Sequence, residues 1–214
     1  LLIVTVVTGI VFSNLYIGII DSLVLIALLA LCALALVRRG LRGEPAPDLA
    51  EIEEDTDIPA ISTTRASLRL SIGLVLLVIG AEALVGSASS IATRLGVSSS
   101  IIGLTIVALG TSLPELAACV ASVLRGHSDL ALGNIVGSNI LNLLVVLPFP
   151  GLLAAGPIEQ ELFYRDYATM LAMTVVLAGT CLWTIKSGKT IGRSFGFVFL
   201  LMYAAWFSIM YQQI

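Results

Sequence analysis

The chain has 214 residues, of which 58% are hydrophobic and 12% charged, with a formal net charge of −3 and a mean hydropathy of +1.05. So little charge does not cover the surface of a water-soluble domain of this length, and it offers no basic face for nucleic acid. The composition points instead to an all-α, multi-pass membrane protein, because helices satisfy their own backbone in lipid.

The chain opens with LLIVTVVTGIVF, which lacks an initiator Met, a basic n-region and a small-residue cleavage site. That is not a signal peptide. It reads as the middle of a helix, with the expectation that the chain is truncated or processed at its N-terminus. A hydrocarbon core of roughly 30 Å needs about 20 apolar residues per helix. Seven apolar segments approach or meet this: residues 1–12 (incomplete), 16–37, 69–92, 98–124, 129–155, 166–185 and 192–211. Cys32, Cys119 and Cys181 each lie inside such a run and read as small buried hydrophobes.

Residues 39–66 differ in kind, carrying Glu44, Asp48, Glu51, Glu53, Glu54, Asp55 and Asp57 among Pro45, Pro47 and Pro59. They are predicted to be a hydrophilic, poorly ordered linker between residues 1–38, with two helices, and residues 67–214, with five. The EIEEDTD run at 51–57 lacks the spacing and glycine of a formed Ca²⁺ loop and reads as solvated linker. With the linker placed on the cytoplasmic side, Arg38, Arg39, Arg42, Arg65, Arg69, Arg125, Lys186, Lys189 and Arg193 all fall inside. Only Arg94 and Arg165 fall outside, where 157–166 also carries Glu159, Glu161 and Asp166. This bias follows the positive-inside rule and sets the C-terminus outside.

Chemistry concentrates in residues 103–142, GLTIVALGTSLPELAACVASVLRGHSDLALGNIVGSNILN. Glu115 lies within a long apolar helix, where an acid generally faces a cavity, a partner or an ion. Thr111 and Ser112 precede it by four and three residues and share its face. Pro114 has no N–H for the carbonyl of Gly110 and crowds it, so the turn offers spare backbone oxygen beside a carboxylate and two hydroxyls. On the following helix Ser138 and Asn142, four apart, add a hydroxyl and an amide oxygen, and Gly133 and Gly137 let another helix approach closely. The LRGHSD turn makes the two helices antiparallel neighbours. Oxygen ligands with one carboxylate suit a hard cation such as Na⁺ or Ca²⁺ and disfavour soft metals.

GTSLPE followed by GNIVGSN resembles the second α-repeat of the sodium/calcium exchangers and their bacterial relatives in the cation/calcium antiporter superfamily. The likeness reaches back through GAEALVGSASSIATRLGVSSSIIGLTIVALGTSLPE, covering about residues 79–143, with a looser helix pattern beyond. The resemblance implies a ten-helix fold of two inverted five-helix repeats. Residues 1–38 would then be the last two helices of the first repeat, and 67–214 the second. It also implies Glu115 as the main carboxylate, Thr111, Ser112 and Ser138 as oxygen ligands, and the Ala108 carbonyl as a Na⁺ ligand. Asn142 stands where some relatives carry Asp. The implied activity is Na⁺/Ca²⁺ antiport in a bacterial inner membrane, with Na⁺ and Ca²⁺ as transported ions and no cofactor. No other GxSxPE and no other GSN occurs, so this chain would supply half of the ion site. The parent chain or a second copy would supply the other.

Other readings stand beside this one. H⁺- or K⁺-coupled antiport of Ca²⁺ or another divalent cation uses the same oxygens, and the chain alone would be an inactive fragment or scaffold. An intramembrane hydrolase using Ser112 or Ser138 needs a base, for which His127, in a loop, is the only histidine. Glu82 is also intramembrane and is read first as a packing or interfacial residue, with an access path as the alternative. Asp21 is expected at an interface, while Trp183, Trp206, Tyr203 and Tyr211 are expected to be interfacial anchors.

Overall fold

The computed structural model describes residues 1–42, 62–97, 99–188 and 190–212. The acidic heart of the linker, residues 43–61, lies outside them, as does Lys189. Each of the seven apolar segments contains helix. We number these α1 (Leu2–Val11), α2 (Ile19–Leu41), α3 (Thr63–Arg94), α4 (residues 99–111), α5 (Leu113–Leu124), α6 (Ser128–Leu153), α7 (Leu162–Ser187) and α8 (Arg193–Gln212). Five of them, α2, α3, α6, α7 and α8, are long and apolar enough to cross a membrane. The pair α4 and α5 makes a sixth span broken by a 47° bend, while α1 with its following turn is shorter, Leu2–Asn14. The architecture is therefore an all-α membrane fold with five or six full spans among the described residues, where about seven were expected. Its one sheet there is a two-residue antiparallel pairing of Tyr16–Ile17 with Gly156–Pro157.

Large apolar side chains point outward along these helices: Ile3 is 76% exposed, Ile20 77% and Leu70 73%. Such surfaces would aggregate in water, and in a bilayer acyl chains cover them. Where helices meet, packing must therefore come from shape and polar contacts rather than from exclusion of water.

The chain forms two compact units. One comprises residues 1–39 and 136–214. Its apolar centre is Val4, Phe12, Ile17, Leu25, Leu143 and Leu144. The Tyr167 hydroxyl donates to Thr5 O (2.5 Å), and a Cβ at Gly9 would collide with the Tyr167 ring, so α1 lies close on α7. Ser22 Oγ is fully buried, 3.0 Å from Gly18 O and 2.9 Å from Pro148 O, which ties α2 to α6. Asp21 Oδ2 accepts the Gly18 N–H at 2.9 Å and so caps the start of α2. Asp166 takes the Arg165 guanidinium through both oxygens (2.7 and 2.9 Å) and the Trp206 indole N–H (2.7 Å), so Trp206 joins α8 to α7.

The other unit comprises residues 40–135, with α3, α4, α5 and the first turns of α6. Helix α4 contains a wide π-helical stretch, Gly103–Val107, before its last turn, Ala108–Thr111. A Cβ at Gly110 would collide with Val85, so glycine is what lets α3 and α4 touch. Helix α5 ends on Gly126 at φ +90°: its N–H donates to Val123 O (3.0 Å) and that of His127 to Ser122 O (2.9 Å). This Schellman ending turns the chain back into α6, giving the antiparallel hairpin expected of LRGHSD.

Candidate functional site

Pro114 stands in the first turn of α5, where its missing N–H does least harm, and the helix breaks just before it at Ser112 (φ −91°, ψ 1°). Three of the expected ligands converge at this break. The Thr111 hydroxyl lies 3.0 Å from Ala108 O and that of Ser112 3.5 Å from the same oxygen. Both hydroxyls thus turn back onto the preceding helical turn, a common habit of Ser and Thr in helices. Here it gathers a carbonyl and two hydroxyl oxygens at one point, with both side chains exposed.

Glu115 follows in the first turn of α5, where the helix dipole favours a negative charge. Ser–x–x–Glu at a helix start ordinarily makes a capping box, with the carboxylate reaching back to the N-cap N–H. That box is not made: no side chain caps α5, and the Ser112 N–H donates to Leu109 O (3.1 Å). Glu115 Oε2 is buried and has no hydrogen-bond partner among the described residues. A buried carboxylate oxygen left without a donor is costly, by an amount that a bound cation would offset.

The backbone of the same turn is held from α6. The Asn134 amide donates to Glu115 O (3.3 Å) and to Cys119 Sγ (3.3 Å), and the Cys119 thiol lies 3.6 Å from Ala131 O. Asn134 was not among the residues singled out from the sequence. Its signal was its presence in GNIVGSN two turns from Asn142, and only the hairpin geometry shows what it touches.

Ser138 and Asn142 belong to the unit of residues 136–214. Ser138 is half-buried on the α-helical part of α6, and Asn142, exposed, opens a π-helical stretch, Asn142–Val146, with Leu147 N–H bonded to Asn142 O at 2.9 Å. At Gly133 and at Gly137 a Cβ would meet nothing within 4 Å, so among the described residues no helix approaches closely at this pair.

Glu82 lies on α3 and lines a cavity of about 480 Å³ together with Thr111, Pro114, Val78 and Val85. Its side chain is exposed, in a space that reaches the helix break. His127 sits in the α5–α6 turn, at the far end of α5 from Ser112, about 18 Å along a 12-residue helix at 1.5 Å per residue. Ser112 therefore has no base there, which removes the hydrolase reading for that residue.

The family described as sodium/calcium exchanger protein matches residues 66–212. The chain is 33% identical over 218 residues to the inner membrane protein YrbG of Escherichia coli, covering 99% of this chain and 65% of that one. It is 43% identical over 147 residues to the putative antiporter CaxA of Alkalimonas amylolytica, covering 68% and 45%. To the sodium/calcium exchanger MaX1 of Methanosarcina acetivorans it is 45% identical over 109 residues, covering 51% and 31%. The chain thus spans 65% or less of the length of these relatives. No solved structure matches it.

Proposed function

The chain belongs to the sodium/calcium exchanger family, and we propose that the protein it represents performs secondary active Na⁺/Ca²⁺ antiport, with this chain supplying part of a mid-membrane cation site. Glu115 provides the charge. The Ala108 carbonyl and the Thr111, Ser112, Ser138 and Asn142 side chains provide neutral oxygens, the Ala108 carbonyl serving Na⁺. The observation that carries this reading is the buried Glu115 Oε2, without a partner among the described residues, in the helical turn that follows the three oxygens of the α4–α5 break.

The chemistry follows from the donor set. Ca²⁺ and Na⁺ both take hard oxygen ligands, and a single carboxylate with neutral oxygens serves either. Ions that share ligands exclude one another, so Na⁺ entering from one side displaces Ca²⁺ to that same side, and the Na⁺-loaded site then opens to the other as the repeats rock. Asn142 adds an oxygen without a charge, which keeps the negative charge of this half at one. The remaining ligands come from the complementary repeat, in the parent chain or a second copy. The cytoplasmic linker and external C-terminus of the sequence reading complete the topology.

The test uses the full-length parent in sealed vesicles loaded with Na⁺, following uptake of ⁴⁵Ca²⁺. Uptake should depend on the outward Na⁺ gradient and fall at least about 100-fold in Glu115→Gln, the scale of removing one fully used charged ligand. Uptake that survives Glu115→Gln would sink the site. Uptake that follows an H⁺ or K⁺ gradient instead of Na⁺ would replace the coupling ion.

A further inference from the structure

Glu82 has no part in the site as built so far, yet its position is unusual. It stands 12 residues before the end of α3 at Arg94, roughly 18 Å along the helix axis. A carboxylate at such depth is expensive against hydrocarbon and ordinarily serves a cavity, a partner or an ion. The cavity of about 480 Å³ that it lines holds one other polar side chain, Thr111; the remaining walls, including Val78, Val85 and Pro114, are apolar. The Thr111 hydroxyl proton is directed to Ala108 O at 3.0 Å, which leaves lone pairs of Oγ1 for an electropositive partner. One negative group between low-dielectric walls focuses its field into the space and concentrates cations there.

We propose that this cavity is a second, weaker cation site, an antechamber in which Glu82 and the Thr111 oxygen hold a partly hydrated Ca²⁺ or Na⁺ before it passes to Glu115. The proposal rests on the antiport reading above and extends it to a residue outside the GTSLPE and GNIVGSN motifs. Thr111 belongs to both sites. It lines the cavity, and its hydroxyl meets the Ala108 carbonyl at the α4–α5 break. A single carboxylate and one hydroxyl leave most of the six to eight oxygens of Ca²⁺ to water, so the ion is attracted but not trapped. Glu82 raises the local supply of ions; it does not set the rate of the transport step itself.

The experiment is initial ⁴⁵Ca²⁺ uptake by the Na⁺-loaded full-length parent in vesicles, as a function of external Ca²⁺ at low and high ionic strength. At low ionic strength Glu82→Gln should raise the half-saturating Ca²⁺ concentration about five- to tenfold, with the maximal rate within about twofold, as expected for loss of a steering field. The difference should shrink at about 0.3 M salt, where the Debye length is only some 5–6 Å. In the double variant Glu82→Gln/Val78→Asp, a carboxylate one turn away on the same wall should restore most of the affinity, which a packing role for Glu82 would not allow. Unchanged half-saturation in Glu82→Gln, no recovery in the double variant, or a lost maximal rate in assembled protein would each overturn the antechamber. If Glu82→Gln does not assemble, Glu82→Asp takes its place: about a twofold rise is expected, and none overturns the proposal. Lack of Na⁺-driven uptake in the unsubstituted protein overturns the antiport reading and this one together. Uptake that is lost in Glu115→Gln but unchanged in Glu82→Gln overturns this one alone.

Discussion

Thr111 has the most connections of any small residue in the candidate site, because its hydroxyl meets Ala108 O while its side chain also lines the Glu82 cavity. Thr111→Val keeps the shape and removes the oxygen. It should raise the half-saturating Na⁺ and Ca²⁺ concentrations about tenfold, the lower end for losing one support of an ion site, with a melting temperature in detergent near that of the unsubstituted protein. Asn134 acts differently, through the backbone of Glu115 rather than through an ion. Asn134→Leu should weaken the α5–α6 hairpin by about 0.6–1.7 kcal/mol, the range for hydrogen bonds between membrane helices, readable as a lowered melting temperature. The residue types Thr111, Ser112 and Glu115 were legible in the sequence, although the periodicity of 3.6 that set them on one face is interrupted by the break at Ser112. Asn134 was not, because an amide on an apolar helix carries no mark of which carbonyl it reaches. The unmade capping box was also invisible: Ser112–x–x–Glu115 is the same string whether the carboxylate reaches back or stays free.

At the scale of elements, the α4–α5 break depends on two residues that act in opposite ways on stability. Pro114 supports the 47° bend. Pro114→Ala returns the missing N–H and should straighten the pair, so the melting temperature holds or rises while ⁴⁵Ca²⁺ uptake falls at least about tenfold through misplaced ligands. Gly110 lets α3 lie against α4, and Gly110→Val would drive a side chain into Val85. An overpacked site of this kind loses about 1–3 kcal/mol, so both stability and uptake should fall. The bend itself could be read from the sequence through Pro114, and the hairpin through Gly126. The π-helical stretches at Gly103–Val107, Asn142–Val146 and Leu162–Tyr167 could not, since a single wide turn changes backbone pairing without changing hydrophobic pattern.

For the molecule as a whole, orientation is the property that composition bears on and geometry leaves open. The basic-residue bias predicts that Glu161 lies outside and Lys186 inside. With Cys32, Cys119 and Cys181 replaced by Ala, a membrane-impermeant maleimide should label Glu161→Cys in intact cells and Lys186→Cys only after permeabilisation. The reverse pattern would invert the topology. The class of fold was legible at this scale because lipid permits so few solutions. Of the two boundaries between the compact units, that at residues 39 and 40 falls where the predicted linker begins, while that at residues 135 and 136, inside α6, was not legible because it follows from which helices pack.

Helix α3 has a further consequence through its length. It runs for 32 residues, Thr63–Arg94, and its apolar stretch is bracketed by Arg69 and Arg94. That bracket measures about 36 Å at 1.5 Å per residue, against a hydrocarbon thickness of about 30 Å. With both guanidinium groups at headgroup level, a helix whose apolar stretch exceeds the hydrocarbon thickness is expected to lean from the bilayer normal. The lean, and with it the height of Glu82 and the wall that α3 presents to α4, is then set partly by the lipids. Acyl-chain length is then predicted to move Glu82 without touching a single ligand.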